Sequence, residues 1–150
     1  MAKTLGIGII STGWVAQAHA DNFKALPGCE VVAVCSRSKD RARSFADSRG
    51  LPGAKAYCNL DTFLAHPGLD VVVVSSIHPQ HPKQTIAAAR AGKHIVIEKP
   101  VALNRQDLAA MCREVKKARV KTSVCFELRW IGLFKTIKAI MQQNLIGDVF

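Results

Sequence analysis

An α/β fold built on a doubly wound parallel sheet is what this sequence predicts, and three observations carry the expectation. Short apolar runs rich in β-branched residues recur at Leu5–Ile10, Glu30–Cys35, Asp70–Ser76 and His94–Glu98. They are apolar throughout rather than alternating, as strands covered on both faces are. Helix-forming stretches separate them, and strands alternating with helices at this spacing lie parallel, joined by right-handed crossovers. The first run is followed at once by Ser11-Thr12-Gly13, a small-residue turn, and then by an Ala-rich helical stretch.

The strand Leu5–Ile10 leads into a helix from Gly13 to Leu26, stopped by Pro27-Gly28. After the strand Glu30–Cys35, Ser38 is placed to cap a helix over Lys39–Arg49 that Gly50 closes. Lys55–Cys58 reads as a short extended piece. Asn59 or Asp61 caps a brief helix to His66, and Pro67-Gly68 turns the chain into the strand Asp70–Ser76. Pro82 suits the first turn of a helix that reaches Ala91 and stops at Gly92. Beyond the strand His94–Glu98, Asn104 caps a long helix to Arg119, with Leu108, Met111, Cys112 and Val115 as its apolar stripe. Thr122–Phe126 is the next strand. Trp130–Asn144 forms an amphipathic helix with Ile131, Phe134, Ile137, Ile140 and Met141 on one face. Leu145–Phe150 then begins what reads as one more strand, so the chain is expected to be cut short, with a second domain missing.

Composition narrows the function. A length of 150 residues suits one well-buried core. No run approaches the roughly 20 consecutive apolar residues of a membrane span. Lys3 and Ala16-Gln17-Ala18 could be read as parts of a secretory leader. Gly6, Gly8, Ser11, Thr12 and Gly13 interrupt its apolar run, however, and cleavage would remove the first strand. The five cysteines (Cys29, Cys35, Cys58, Cys112, Cys125) are odd in number and show no C-x-x-C spacing. They read as reduced core residues of a cytoplasmic protein, not as a zinc site. The formal charge of +10 is spread over helix faces and comes with one tyrosine and two tryptophans, too few for a stacking platform. Nucleic acid is therefore not the expected partner, whereas a positive field suits a phosphorylated cofactor.

Ligands of open α/β sheets bind beyond the carboxyl ends of the strands. Those ends are polar each time here: Ser11-Thr12-Gly13, Ser36-Arg37-Ser38, Ser75 through His81, and Glu98-Lys99-Pro100. The first turn, Ser11-Thr12-Gly13-Trp14-Val15-Ala16, stands where the dinucleotide fingerprint has G-x-G-x-x-G/A. Gly13 lets a phosphate approach the helix start and Ala16 lets the helix pack closely, while Ser11 replaces a glycine that would adopt positive φ without strain. At the end of the second strand, Ser36 and Arg37, with Lys39 and Arg41 close behind, occupy the place of the carboxylate that holds an unphosphorylated ribose. A guanidinium pairs with a 2′-phosphate, so NADP(H) is favoured over NAD(H). Asp40 suits the dipole of its helix's first turn and is expected to face solvent. His78 and His81 flank Pro79 without a third metal ligand nearby in sequence, and no metal is expected. They read equally as cofactor-edge or helix-start residues, whereas His19, His66 and His94 read as structural or surface groups. Lys99, at a strand end and before Pro100, is placed to orient a substrate oxygen and stabilise its charge. The competing reading of Glu98-Lys99 is a solvated ion pair before a proline turn.

These motifs together resemble the Gfo/Idh/MocA oxidoreductases. The likeness runs through GIISTGWVAQAHA, VVAVCSRSKDRA and VVVVSS, and is most specific in AAARAGKHIVIEKPVAL, the family's A-x-x-x-G-K-H-V-x-x-E-K-P block. FELRW resembles the family's N-x-R-F/W segment, with Arg129 on the arginine, and LIGDV its I-G-x-V entry to a substrate domain. The resemblance implies a Rossmann domain over residues 1–126, with 127–150 as the connecting helix and first strand of an antiparallel substrate domain. It implies Lys99 as the catalytic lysine. It also implies cofactor contacts from Ser11, Thr12, Gly13, Trp14, Val15, Ser36, Arg37, Arg41, Ser76, Ile77, His78, His81, Glu98, Lys99 and Arg129, with His81 at the start of the helix bordering the nicotinamide. Ser76-Ile77-His78 departs from the family's usual Thr-Pro-Asn, and the family's catalytic histidine would lie beyond residue 150. The implied function is hydride transfer between NADP(H) or NAD(H) and a sugar- or cyclic-polyol-like substrate. The implied assembly is a homo-oligomer, with no membrane partner. The alternative is a dinucleotide-binding module or fragment without turnover.

Overall fold

A computed structural model describes residues 3–148. Six strands form one sheet in the order β3-β2-β1-β4-β5-β6, and every pairing is parallel. The strands are β1 (Leu5–Ile10), β2 (Cys29–Cys35), β3 (Lys55–Tyr57), β4 (Leu69–Val74), β5 (His94–Ile97) and β6 (Thr122–Val124). The helices are α1 (Trp14–Ala25), α2 (Lys39–Ser48), α3 (Leu60–Leu64), α4 (His81–Arg90), α5 (Arg105–Ala118) and α6 (Gly132–Gln142). Two 3₁₀ turns, His78–Gln80 and Glu127–Trp130, complete the order. The winding runs outward from β1 to β3, then crosses back to β4. That reversal opens a crevice between β1 and β4 at their C-terminal ends.

The uninterrupted apolar runs are explained by burial on both faces. Ile7, Ile9, Val31, Val71 and Val73 pack with Ala16, Ala20, Ala42, Phe45 and Ala46 on one side of the sheet. Ile10, Ala33, Val72, Val74, Ile95 and Ile97 pack with Phe63, Ala88, Ala89 and Met111 on the other. Within β1 the glycines serve packing. A Cβ on Gly6 would overlap the Gly68 carbonyl, and one on Gly8 would come within 2.6 Å of Phe63 and Leu69 side-chain atoms. Ser38, Asn59 and Asn104 cap their helices through side-chain oxygens that accept from the N–H three residues on.

Several boundaries differ from the sequence reading. β4 ends at Val74 rather than Ser76, because Ser75 turns its N–H and Oγ–H onto the Ile10 carbonyl as the chain leaves the sheet. β6 stops at Val124, short of Phe126. α5 ends at Ala118, with Arg119 forming a left-handed cap at φ 55. On the expected stripe of α5, Met111 is buried and Val115 half-buried, whereas Leu108 and Cys112 are exposed. Of the five free thiols, only Cys35 belongs to the core; Cys58 and Cys112 are exposed. The final helix is shorter than expected, since Trp130 belongs to a 3₁₀ turn and Ile131 is extended at ψ 135. Its apolar residues Phe134, Ile137 and Met141 are exposed. Leu145 and Ile146 lie in a turn, Gly147 and Asp148 have no regular structure, and the rest of the expected Leu145–Phe150 strand falls on 149–150, outside the described residues. No described helix is long and apolar enough to cross a membrane.

Candidate active site

The C-terminal ends of β1, β2, β4 and β5 lie along one edge of the sheet, and a cavity of about 550 Å³ opens beyond those of β1, β2 and β4, with His78, His81, Glu98 and Lys99 outside its lining. Ser11, Thr12, Gly13, Ser36, Arg37, Arg41, Ser76 and Ile77, all expected from sequence, line it. It also takes in Gln80, within the polar stretch after β4, and Cys35, Cys58, Leu60, Lys83 and Gln84, which sequence reasoning missed. Gln80, Lys83 and Gln84 stand just beyond the β4 end around the first turn of α4, the helix that faces the crevice, and that placement was the available signal. A larger depression between α3 and α4 lies away from the strand ends and gathers no comparable set of groups.

The first turn departs from glycine at a place that needs it. Ser11 adopts φ 113, a region that side chains with a Cβ avoid. Its Oγ accepts from the Gly13 N–H at 3.1 Å, and its own N–H donates to the Cys35 carbonyl at 2.8 Å. α1 then begins without any side-chain cap. The N–H groups of its first turn are thus available to an anion, with the helix dipole behind them. A Cβ on Gly13 would meet nothing nearer than Ser11 Oγ at 3.4 Å. The protein itself leaves this space open, so the residues present fit a pyrophosphate approaching the backbone. Trp14 is exposed and Val15 half-buried at the helix start, and neither lines the cavity.

At the end of β2, Thr12 Oγ1 lies 3.3 Å from Ser36 Oγ. Arg37 and Arg41 are exposed. Among the described residues neither is paired with a carboxylate. Asp40 is exposed in the first turn of α2, as expected.

Beyond β4, Ser76 Oγ donates to Gln84 Oε1 at 2.6 Å, and Ile77 is exposed. His78 is exposed and stacks edge-on against His81 at 5.6 Å between ring centroids. His81 itself is fully buried. Its Nδ1 lies 2.9 Å from the Pro100 carbonyl oxygen and its Nε2 3.0 Å from that of Ser76. Both nitrogens face backbone carbonyls, one in the loop after β4 and one in the loop after β5. His66 and His94 also serve structure, through Tyr57 Oη and the Lys121 N–H.

Beyond β5, Glu98 and Lys99 part company. Glu98 Oε1 is 3.0 Å from His19 Nε2, and Oε2 accepts from the Lys99 N–H at 3.2 Å. Cys125 lies against the same carboxylate; burial, then the charge of Glu98, push its thiol up to about 11. The Lys99 ammonium instead pairs with Glu127 at 2.9 Å, both side chains about half exposed. The hydrogen bond and charge of Glu127 raise the Lys99 pKa, so the amine is cationic at neutral pH. The bond from Lys99 lowers that of Glu127. The peptide joining Lys99 to Pro100 is cis. Arg129, exposed on the 3₁₀ turn, lies over the Phe126 ring at 5.7 Å and does not line the cavity.

Comparison with known proteins agrees with this fold. A family model described as an oxidoreductase family with an NAD-binding Rossmann fold, GFO_IDH_MocA, matches residues 5–126. Trans-1,2-dihydrobenzene-1,2-diol dehydrogenase of Xenopus tropicalis is 31% identical over 144 residues, covering 95% of this chain and 43% of that protein. Myo-inositol 2-dehydrogenase of Thermotoga maritima is 33% identical over 141 residues, covering 94% and 42%. Among solved structures, an NAD binding oxidoreductase from Klebsiella pneumoniae superposes with a TM-score of 0.83 at 32% identity, covering 98% of this chain and 40% of that one. The chain therefore spans somewhat under half the length of the relatives it matches.

Proposed function

Because this chain belongs to the Gfo/Idh/MocA oxidoreductase family, with its NAD-binding Rossmann fold, we propose that its cleft binds NADP(H) in preference to NAD(H) for hydride exchange with a sugar- or cyclic-polyol-like substrate. The observation that carries this reading is a single sheet edge. It presents the uncapped helix start at Gly13, two unpaired guanidinium groups after β2 and a cationic lysine after β5. The cyclic diol and the inositol in the names of two relatives support the substrate class. We assign residues 1–126 to the dinucleotide-binding domain and 127–150 to a segment leading into a substrate domain. The exposed apolar side of α6 supports that division.

The first-turn N–H groups of α1 bind the pyrophosphate. Arg37 and Arg41 pair with the 2′-phosphate where a carboxylate would repel it. The bound nicotinamide supplies the hydride donor or acceptor. Lys99 donates an N–H to the substrate oxygen and offsets the negative charge that grows there. Its amine must exchange Glu127 for that oxygen, a modest demand because half-exposed ion pairs hold weakly. The same pair favours the second reading, a dinucleotide-binding module without turnover, in which Glu127 keeps the amine.

Separate fluorescence titrations with NADPH and NADH test the proposal. Charge-assisted bonds of about 1–2 kcal/mol after allowance for exposure give NADPH roughly a tenfold advantage. The Arg37→Ala/Arg41→Ala double variant is expected to abolish it while still binding NADH. Binding of neither nucleotide would refute the assignment. Fusing the chain to the substrate domain of the Thermotoga relative separates the two readings: Lys99-dependent turnover supports the dehydrogenase, and intact binding without turnover the module.

A further inference from the structure

We propose that His19, Glu98 and Cys125 form a binding site for one divalent metal ion of borderline softness, such as Zn²⁺ or Co²⁺. His19 lies on α1, Glu98 follows β5 and Cys125 follows β6, so three separate elements bring one nitrogen, one oxygen and one sulfur donor together. One donor atom from each lies within 4.8 Å of the others, and all three residues are half-buried. Donors around a tetrahedral ion sit roughly 3–4 Å apart, given metal–ligand bonds of about 2.0–2.3 Å. The ion therefore enters with side-chain shifts of about an ångström or less.

The charges match a divalent ion. Neutral imidazole, carboxylate and thiolate together carry two negative charges, leaving a neutral centre in a half-buried place. In the metal-free chain, protons occupy the ion's position. His19 Nε2–H faces Glu98 Oε1 at 3.0 Å, and Cys125 Sγ lies within 4.8 Å of both donor atoms. On capture the thiol proton leaves to solvent, His19 gives up its Nε2 proton and takes one on Nδ1 so that the neutral imidazole binds through Nε2, and water fills the fourth position that three protein ligands leave open. The supporting bond is already present, since Glu98 Oε2 accepts from the Lys99 N–H at 3.2 Å and so orients the carboxylate. None of this depends on the dinucleotide reading, and the test below does not involve a nucleotide.

The experiment is a Co²⁺ titration of the reduced, metal-free Cys58→Ser/Cys112→Ser chain, which lacks the two exposed thiols. One cobalt per chain is expected, with a near-ultraviolet thiolate-to-cobalt charge-transfer band, visible bands of four-coordinate intensity, and loss of both on adding Zn²⁺. Cys125→Ser is expected to abolish the charge-transfer band. His19→Gln is expected to weaken cobalt binding by at least the roughly tenfold that losing even a supporting partner costs. A measurement on the unsubstituted site stands beside these: Zn²⁺ should slow alkylation of Cys125, read by peptide mass. No band at stoichiometric cobalt, a band that survives Cys125→Ser, or alkylation indifferent to Zn²⁺ would each overturn the site.

Discussion

Ser11 offers a direct measure of the strain held in the turn beneath the proposed pyrophosphate site. At φ 113 its Cβ costs about 1–3 kcal/mol. The bond its Oγ accepts from the Gly13 N–H returns about 0.5–1.5 kcal/mol. Ser11→Ala keeps the strain and loses the bond, so it is expected to be less stable than the parent by about 1 kcal/mol. Ser11→Gly loses the same bond but releases the backbone, and glycine's extra freedom in the unfolded chain takes back about 0.5–1 kcal/mol. The glycine variant should therefore exceed the alanine variant by about 1 kcal/mol, roughly 2–4 °C in Tm for a chain of this size. Urea and thermal unfolding of the three chains, compared at equal denaturant slope, measure the difference. Equal stability of the two variants, or an alanine form that is the more stable, would refute a strained backbone at this position.

Three further outcomes follow from the same geometry. Gly13→Ala places a methyl in space the protein leaves open, so its stability should stay within about 0.5 kcal/mol of the parent. NADPH binding should nevertheless weaken by roughly tenfold or more, about 1.4 kcal/mol, and unchanged affinity in a titration would remove the pyrophosphate from Gly13. His81→Ala leaves the Ser76 and Pro100 carbonyls facing a cavity and is expected to cost about 2–4 kcal/mol by urea unfolding. A loss under about 1 kcal/mol would mean the loops do not depend on the ring. The Lys3 ammonium, then the Gly6 N–H, hold the Asp70 carboxyl below its ordinary value. A depressed carboxylate contributes stability above its unfolded pKa and loses it as pH falls through the folded one. The parent's advantage over Asp70→Asn should therefore shrink below about pH 4, and a constant gap in urea midpoints from neutral to acid pH would contradict the pairing.

What could be read ahead of the structure follows the range of the forces involved. The inner strands are legible because each is apolar on both faces, and the capping residues Ser38, Asn59 and Asn104 because each meets an N–H three residues away. Edge strands of three residues carry little pattern, and β6 accordingly ends short of the expected Phe126. The last helix is shorter than its apolar spacing suggests, because that spacing continues through Ile131, whose extended backbone no spacing rule records. The triad at His19 lay out of reach, since it joins residues separated by 79 positions in the chain.

Glu98 and Lys99 show where local reasoning could have gone further. Read as neighbours they suggest a solvated pair, yet successive side chains at a strand end point to opposite faces. The structure obeys that alternation. Glu98 turns inward to His19, Cys125 and the Lys99 N–H, while Lys99 turns outward to Glu127. The inward carboxylate meets groups from two other elements as well as the Lys99 N–H. The outward amine has one half-exposed partner, Glu127. Two charges side by side in the sequence thus divide into one held between three elements and one held by a single half-exposed partner.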